Sequence, residues 1–136
     1  MKKLAKVDRS ATTLLGAEPM VFVTDFAAAL AFYTDILGFG VEFTYGEPAF
    51  YGQIRRDAAV LNLRHVDTAV IDPRRSKGED LLSVAIAVSD ADALFEEFRL
   101  AGARFHQKPR TEPWGSRTFI VLDPDENLIL FASESA

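Results

Sequence analysis

Residues 23–40 read VTDFAAALAFYTDILGFG and residues 88–105 read VSDADALFEEFRLAGARF. Laid over one another, Val23 falls on Val88 and Asp25 on Asp90, a constant shift of 65 residues (88 less 23). Each copy opens with a hydroxyl residue and an aspartate, Thr24–Asp25 and Ser89–Asp90, the side chains that satisfy the orphan N–H groups of a helix start. Apolar residues then recur at helical spacing: Phe26, Ala29, Leu30, Tyr33 and Leu37 in the first copy, Ala91, Leu94, Phe95 and Phe98 in the second. Gly38 and Gly102 stand where a helix end takes a left-handed residue. The pattern predicts two equivalent helices.

What flanks them is β-rich. EPMVFV at 18–23 and LLSVAIAV at 81–88 precede the helices as strands. After the first helix come strands at 39–45, 50–55 and 59–65; after the second, at 103–108, 117–122 and 128–132. The module is therefore βαβββ, twice, and the fold class α+β. Residues 1–16 are expected to be an N-terminal tail, and 17–133 a single domain of two modules, 17–65 and 81–133. Residues 66–80, VDTAVIDPRRSKGED, are polar and turn-rich and join them. Neither module is large enough to close a core alone. The two should combine into a concave mixed sheet with the helices outside.

The composition narrows the function. A chain of 136 residues with 49% hydrophobic and 26% charged residues can bury a core without staples. With no cysteine, disulfides and thiolate metal sites are excluded. A net charge of −5 speaks against a nucleic-acid partner and agrees mildly with a cationic ligand. No apolar run at the N-terminus is long enough for a signal peptide or a membrane span, so no membrane partner and a cytoplasmic location are expected.

The stretches VTDFAAALAFYTDILGF, RRDAAVLNL and WGSRTFIVLDPDENLILF together resemble the glyoxalase/bleomycin-resistance/extradiol-dioxygenase superfamily, the vicinal-oxygen-chelate proteins. PWG before an aromatic-containing strand and DPxxN is similar in particular to the bleomycin-resistance branch. Enzymes of the superfamily hold a divalent metal with His and Glu side chains on the first and last strands of each module. The matching positions here are Glu18, Asn62, Ser83 and Leu130, of which only Glu18 is a good ligand. His65, on the face of Leu61 and Leu63, and His106 match none of them. The expectation is no metal and no cofactor.

Alternation turns Glu18, Met20 and Phe22 inward from the first strand, Val60, Asn62 and Arg64 from the fourth, and Ser83, Ala85 and Ala87 from the fifth. Aromatic residues of the second and third strands, Phe43 and Phe50 among them, add apolar walls. The resemblance puts the PWG tryptophan, Trp114, near the ligand cleft. The candidate ligand-binding set is thus Glu18, Phe22, Phe43, Phe50, Asn62, Arg64 and Trp114. Glu18 reads either as an anchor for a cation or as an exposed residue at a strand start. The function expected is non-enzymatic binding of a small organic ligand, for example an aromatic cation, such as sequestration of a bleomycin-type antibiotic. The alternatives are an enzyme of the superfamily (lyase, isomerase or dioxygenase) with an atypical or absent metal site, and a dimeric protein with no small-molecule role. A homodimer is implied, since drug binders of this family build clefts between two chains. Finally, the family turn DPxGN has Glu126 in its glycine position, so Glu126 should carry a positive φ. On that reading Glu126→Gly is neutral to modestly stabilising.

Overall fold

The computed structural model describes residues 7–134. Of the expected tail, residues 1–6 lie outside the described residues, and 7–16 form no helix or strand. The first module runs β1 (Met20–Val23), α1 (Phe26–Ala31), β2 (Gly40–Gly46), β3 (Ala49–Arg56) and β4 (Ala59–His65). The second runs β5 (Leu82–Ala87), α3 (Ala91–Leu100), β6 (Arg104–Thr111), β7 (Arg117–Leu122) and β8 (Leu128–Ser133). Each module folds its strands into a four-stranded sheet, ordered β1-β4-β3-β2 and β5-β8-β7-β6. In both, the first strand pairs parallel with the last and the rest are antiparallel. The duplicated βαβββ architecture is as expected.

The helix starts form as their sequences dictate. Asp25 accepts from the Ala28 N–H and Asp90 from the Ala93 N–H, each at 3.1 Å. The first helix then departs from the simple pattern: α1 widens into a π-helical turn over Phe32–Ile36. Thr34 Oγ1 donates back to the Leu30 carbonyl at 2.8 Å, a back-bond that bends helices. Gly38 follows at φ 76°.

The linker holds more structure than its polar composition suggested. Within 66–80, Pro73–Glu79 forms α2. Asp72 caps it by accepting from the Arg74 N–H at 3.1 Å, and Pro73 takes the first turn, where its missing N–H costs nothing. Reading DPRRSKGE only as turn chemistry overlooked an aspartate cap followed by a first-turn proline.

The modules combine through side chains; among the described residues no strand ladder joins the two sheets. One core takes Val21, Val23, Phe26, Tyr33, Leu61 and Leu63 from the first module and Phe98, Phe119, Val121, Ile129 and Phe131 from the second. The turn at 123–127 then clamps the modules together. Tyr33 Oη donates to Asp123 Oδ2 at 2.8 Å, Thr24 Oγ1 donates to Asp125 Oδ1 at 2.6 Å, and Asn127 Nδ2 donates to the Phe22 carbonyl at 3.1 Å. On the other flank, Arg56 donates to both Glu97 oxygens (2.7 and 3.0 Å) and to the Leu37 carbonyl (2.9 Å). Burial pushes the Tyr33 phenol well above its ordinary range, and the neighbouring Asp123 carboxylate pushes it further. Tyr33→Phe leaves a buried carboxylate short of one donor. It should lower unfolding free energy by about 1–3 kcal/mol, read in urea titrations as a lower midpoint with one transition for both modules.

Glu126 has φ 66°, as the turn reading required. Its side chain, however, is engaged. Lys77 Nζ of α2 lies 2.8 Å from Oε2, and Arg104 Nη1 lies 3.5 Å from Oε1. The Lys77 contact is an ion pair rather than an aligned hydrogen bond, since Oε2 is buried with no bonded partner. The contact narrows the expectation for Glu126→Gly to its neutral end. Relief of about 1–2 kcal/mol of backbone strain is offset by chain entropy and by loss of these ion pairs, leaving little or no gain. Lys77, then burial acting in the opposite sense, then Arg104 set the Glu126 carboxyl, with a net lowering below its ordinary range. A lowered folded-state value contributes stability that is present above the unfolded pKa of about 4.3 and is lost as pH falls through the folded one. Glu126→Gln should therefore be less stable than the parent at pH 7 by up to about 1 kcal/mol. The gap should close on acidification below about pH 4, as read by thermal unfolding across pH.

Candidate functional site

Strand register decides which side chains share the helix-free face of the first sheet. Phe22 on β1, Arg64 on β4, Tyr51 on β3 and Tyr45 on β2 stand in one cross-strand row. The next row is Met20, Asn62, Gln53 and Phe43. Directly opposed side chains in such rows sit about 5 Å apart, close enough to make one continuous surface. The other face, with Val21, Val23, Ile54, Leu61 and Leu63, is the buried core. Phe43 and Tyr51 lie with ring centroids 6.0 Å apart. This surface is open: Phe22 is 38%, Phe43 45% and Tyr45 68% exposed.

The polar members form a short chain of bonds. Gln53 Nε2 donates to Glu18 Oε1 at 2.7 Å and to Asn62 Oδ1 at 3.1 Å. Because Gln53 takes the Asn62 oxygen, the Asn62 amide nitrogen is left as a donor toward the face. Arg64 is exposed and has no salt bridge or side-chain hydrogen bond among the described residues. Arg55, two rows from Arg64, is already paired with Glu42 at 3.0 Å.

The structure thus brings Phe22, Phe43, Asn62 and Arg64 together, with Glu18 at their margin. Phe50 lies at the end of the β2–β3 hairpin, edge-on to Tyr45 at 5.6 Å, one strand position away from the Tyr51 row. Trp114 stands apart. It lies between β6 and β7, and β6 is the edge strand farthest from β5 in its sheet. The hairpin around it is held by Glu112 N–H to the Ser116 carbonyl (2.8 Å) and Gly115 N–H to the Glu112 carbonyl (2.9 Å). Its ring is 75% exposed. Sequence reasoning left Gln53 and Tyr51 out of the candidate set. The two-residue connection Asp57–Ala58 carried the signal, since it sets Arg56 opposite Ala59 and therefore Gln53 opposite Asn62.

The second sheet uses its corresponding face differently. Ile120, Leu122 and Leu128 form a small buried cluster with Leu130 against it. The linker is tied to the same module by Lys77–Glu126 and by Asp80 with His106 Nε2 at 2.8 Å. Ser83 donates to Asn127 Oδ1 at 3.1 Å. His65 pairs with Asp67 at 3.0 Å. The four positions that correspond to metal ligands therefore hold a carboxylate bonded to Gln53, an amide, a bonded hydroxyl and a hydrocarbon. This donor set does not fit a divalent metal. Among the described residues, no group of three or more His, Asp or Glu is gathered as a metal site would be.

Two hollows remain. One of about 440 Å³ lies on the module seam, walled by Leu37, Phe39, Phe98 and Phe131 and rimmed by Arg56 and Glu97. Its apolar walls are core residues and its rim is already an ion pair. The other, of about 260 Å³, adjoins the open face and is lined by Met20, Phe22, Val70, Ile71 and Ser83.

The fold and this face define a duplicated βαβββ protein with an open aromatic surface and no fitting metal site. A sequence profile of the Glyoxalase/Bleomycin resistance protein/Dioxygenase superfamily matches residues 16–131, and the chain belongs to that superfamily. No curated protein sequence matches. Among solved structures, a bleomycin-binding protein from bleomycin-producing Streptomyces verticillus, complexed with copper(II)-bleomycin, is similar at 25% identity and TM-score 0.68. The match covers 92% of this chain and 99% of that one. A bleomycin-binding protein complexed with bleomycin has TM-score 0.71 at 22% identity, covering 88% and 98%. TnmS3, an antibiotic binding protein from Streptomyces sp. CB03234, has TM-score 0.65 at 23% identity, covering 91% and 100%. No described helix is long and apolar enough to cross a membrane.

Gln53 is the shared donor of Glu18 and Asn62. Gln53→Ala should cost about 0.5–1.5 kcal/mol in thermal or urea unfolding while leaving secondary structure intact by circular dichroism.

Proposed function

We propose that this chain binds a small planar organic ligand on the open face of its first sheet without turning it over. Sequestration of an antibiotic is the specific form of that reading. The observation that carries it is the aromatic surface of the exposed Phe22, Phe43 and Tyr45 and the half-buried Tyr51, set in register with donors at Asn62 and Arg64. Flat aromatic walls with a few fixed polar groups suit a planar ligand. The similarity to a bleomycin-binding protein supports the same class of activity. A cytoplasmic setting suits a chain that has no cysteine to oxidise.

The reading includes a twofold dimer. Met20, Phe22, Phe43 and Tyr45 leave apolar side chains of this face exposed to water, of the kind that marks an interface or ligand groove. A second copy closing over this face would shield the ligand, and it is the second copy that would carry Trp114 to it.

Calorimetric titration of the purified protein with bleomycin and with a panel of planar aromatic antibiotics tests the reading. The expected result is saturable binding of at least one compound, recovered chemically unchanged, by a species of twice the 15.0 kDa chain mass in light scattering. Phe22→Ala and Trp114→Ala should each weaken binding by about 1–3 kcal/mol without unfolding the protein. Absence of binding across the panel, or conversion of the ligand, would sink the proposal. A monomeric mass at micromolar concentration would remove the dimer.

A further inference from the structure

The unpaired charge at the centre of the open face, among the described residues, is the Arg64 guanidinium, although the chain as a whole is negative; the charged carboxylate of Glu18 lies at the margin. Glu18, the expected anchor for a cation, gives one carboxylate oxygen to Gln53 and sits at the margin of the face. Arg55 is paired with Glu42. Arg64 is the guanidinium of the central strands with no carboxylate or other acceptor among the described residues. Its row sets Phe22 on one side and Tyr51 on the other. Two residues back on β4, Asn62 presents its amide N–H groups on the same side, because Gln53 occupies its oxygen.

Arg64 and the largely covered Asn62 amide thus both offer donors, spaced about 7 Å apart along one strand and flanked by aromatic rings. A guanidinium offers a planar fork of N–H groups that matches a carboxylate edge-on, and it repels an ammonium. The neighbouring rings favour a flat apolar body on the ligand. Resting on the proposed binding role of this face, we infer that it selects an aromatic ligand bearing a carboxylate, held by Arg64, with a carbonyl or phenolic oxygen within reach of Asn62. The same arrangement disfavours aromatic cations. It replaces the preference that the net charge of the chain alone would suggest.

The test uses three probes that share one ring system and differ in charge: 2-naphthoate, 2-naphthamide and 2-naphthylmethylammonium. Each is titrated calorimetrically against the full-length protein at pH 7 and low ionic strength. The expected order is naphthoate, then naphthamide, then the ammonium compound, with naphthoate bound about tenfold more tightly than naphthamide. Arg64→Gln should abolish that difference by weakening naphthoate far more than naphthamide, and Arg64→Lys should restore part of it. Added salt should weaken naphthoate binding selectively. Equal binding of all three probes, or tightest binding of the ammonium compound, overturns the inference and leaves the binding role standing. Binding of none of the three overturns the inference together with the role it rests on.

Discussion

Asp123 is fully buried and accepts four hydrogen bonds, from Tyr33 Oη (2.8 Å), the Asp125 N–H (2.9 Å), the Asn127 N–H (2.8 Å) and Asn127 Nδ2 (2.8 Å). Burial pushes its carboxyl up, and these bonds oppose that shift. One of the four comes from the other module, and the turn they fix also lets Asn127 reach the Phe22 carbonyl and Asp125 reach Thr24. The position of β1 against the second module, and so the placement of Phe22 at the edge of the open face, depends on this carboxylate. A buried acceptor of this kind is costly when any donor is lost, so the geometry it enforces is narrow.

The two modules share a topology but spend their helix-free faces differently. In the second, Ile120, Leu122 and Leu128 are withdrawn from water. In the first, side chains of equal or greater apolar area stay exposed beside an unpaired guanidinium. Such a face loses favourable burial in the isolated chain, and aromatic side chains from three of its four strands are not needed to hold the sheet together. This asymmetry is the ground on which the proposed binding role of the first face rests.

Much of this was legible in the residues. The Val-x-Asp repeat with its 65-residue shift defined both modules, because cap chemistry and helical spacing are local properties of the chain. Alternation correctly set Leu61 and Leu63 into the core and Asn62 and Arg64 opposite them, since a strand has a period of two. Gln53 was not found, because its importance comes from cross-strand register rather than from its own strand. The bonds of the 123–127 turn were equally hidden. DPDEN reads as a hairpin, and its contacts with Tyr33, Thr24 and Phe22 join residues about a hundred positions apart in the chain. Trp114 was read as a cleft wall from resemblance; within one chain it sits on a hairpin at the far edge of the other sheet.

The central claim is that the open face of the first sheet, not the seam between modules, receives a ligand. Mapping backbone amide shifts by two-dimensional NMR during titration with an aromatic ligand tests it most directly. The account predicts the largest changes at Phe22, Tyr51, Asn62 and Arg64, with neighbouring residues of β1, β3 and β4 following. Changes centred instead on Ile86–Asp90, Leu94 and Glu97, around the seam hollow, would contradict it.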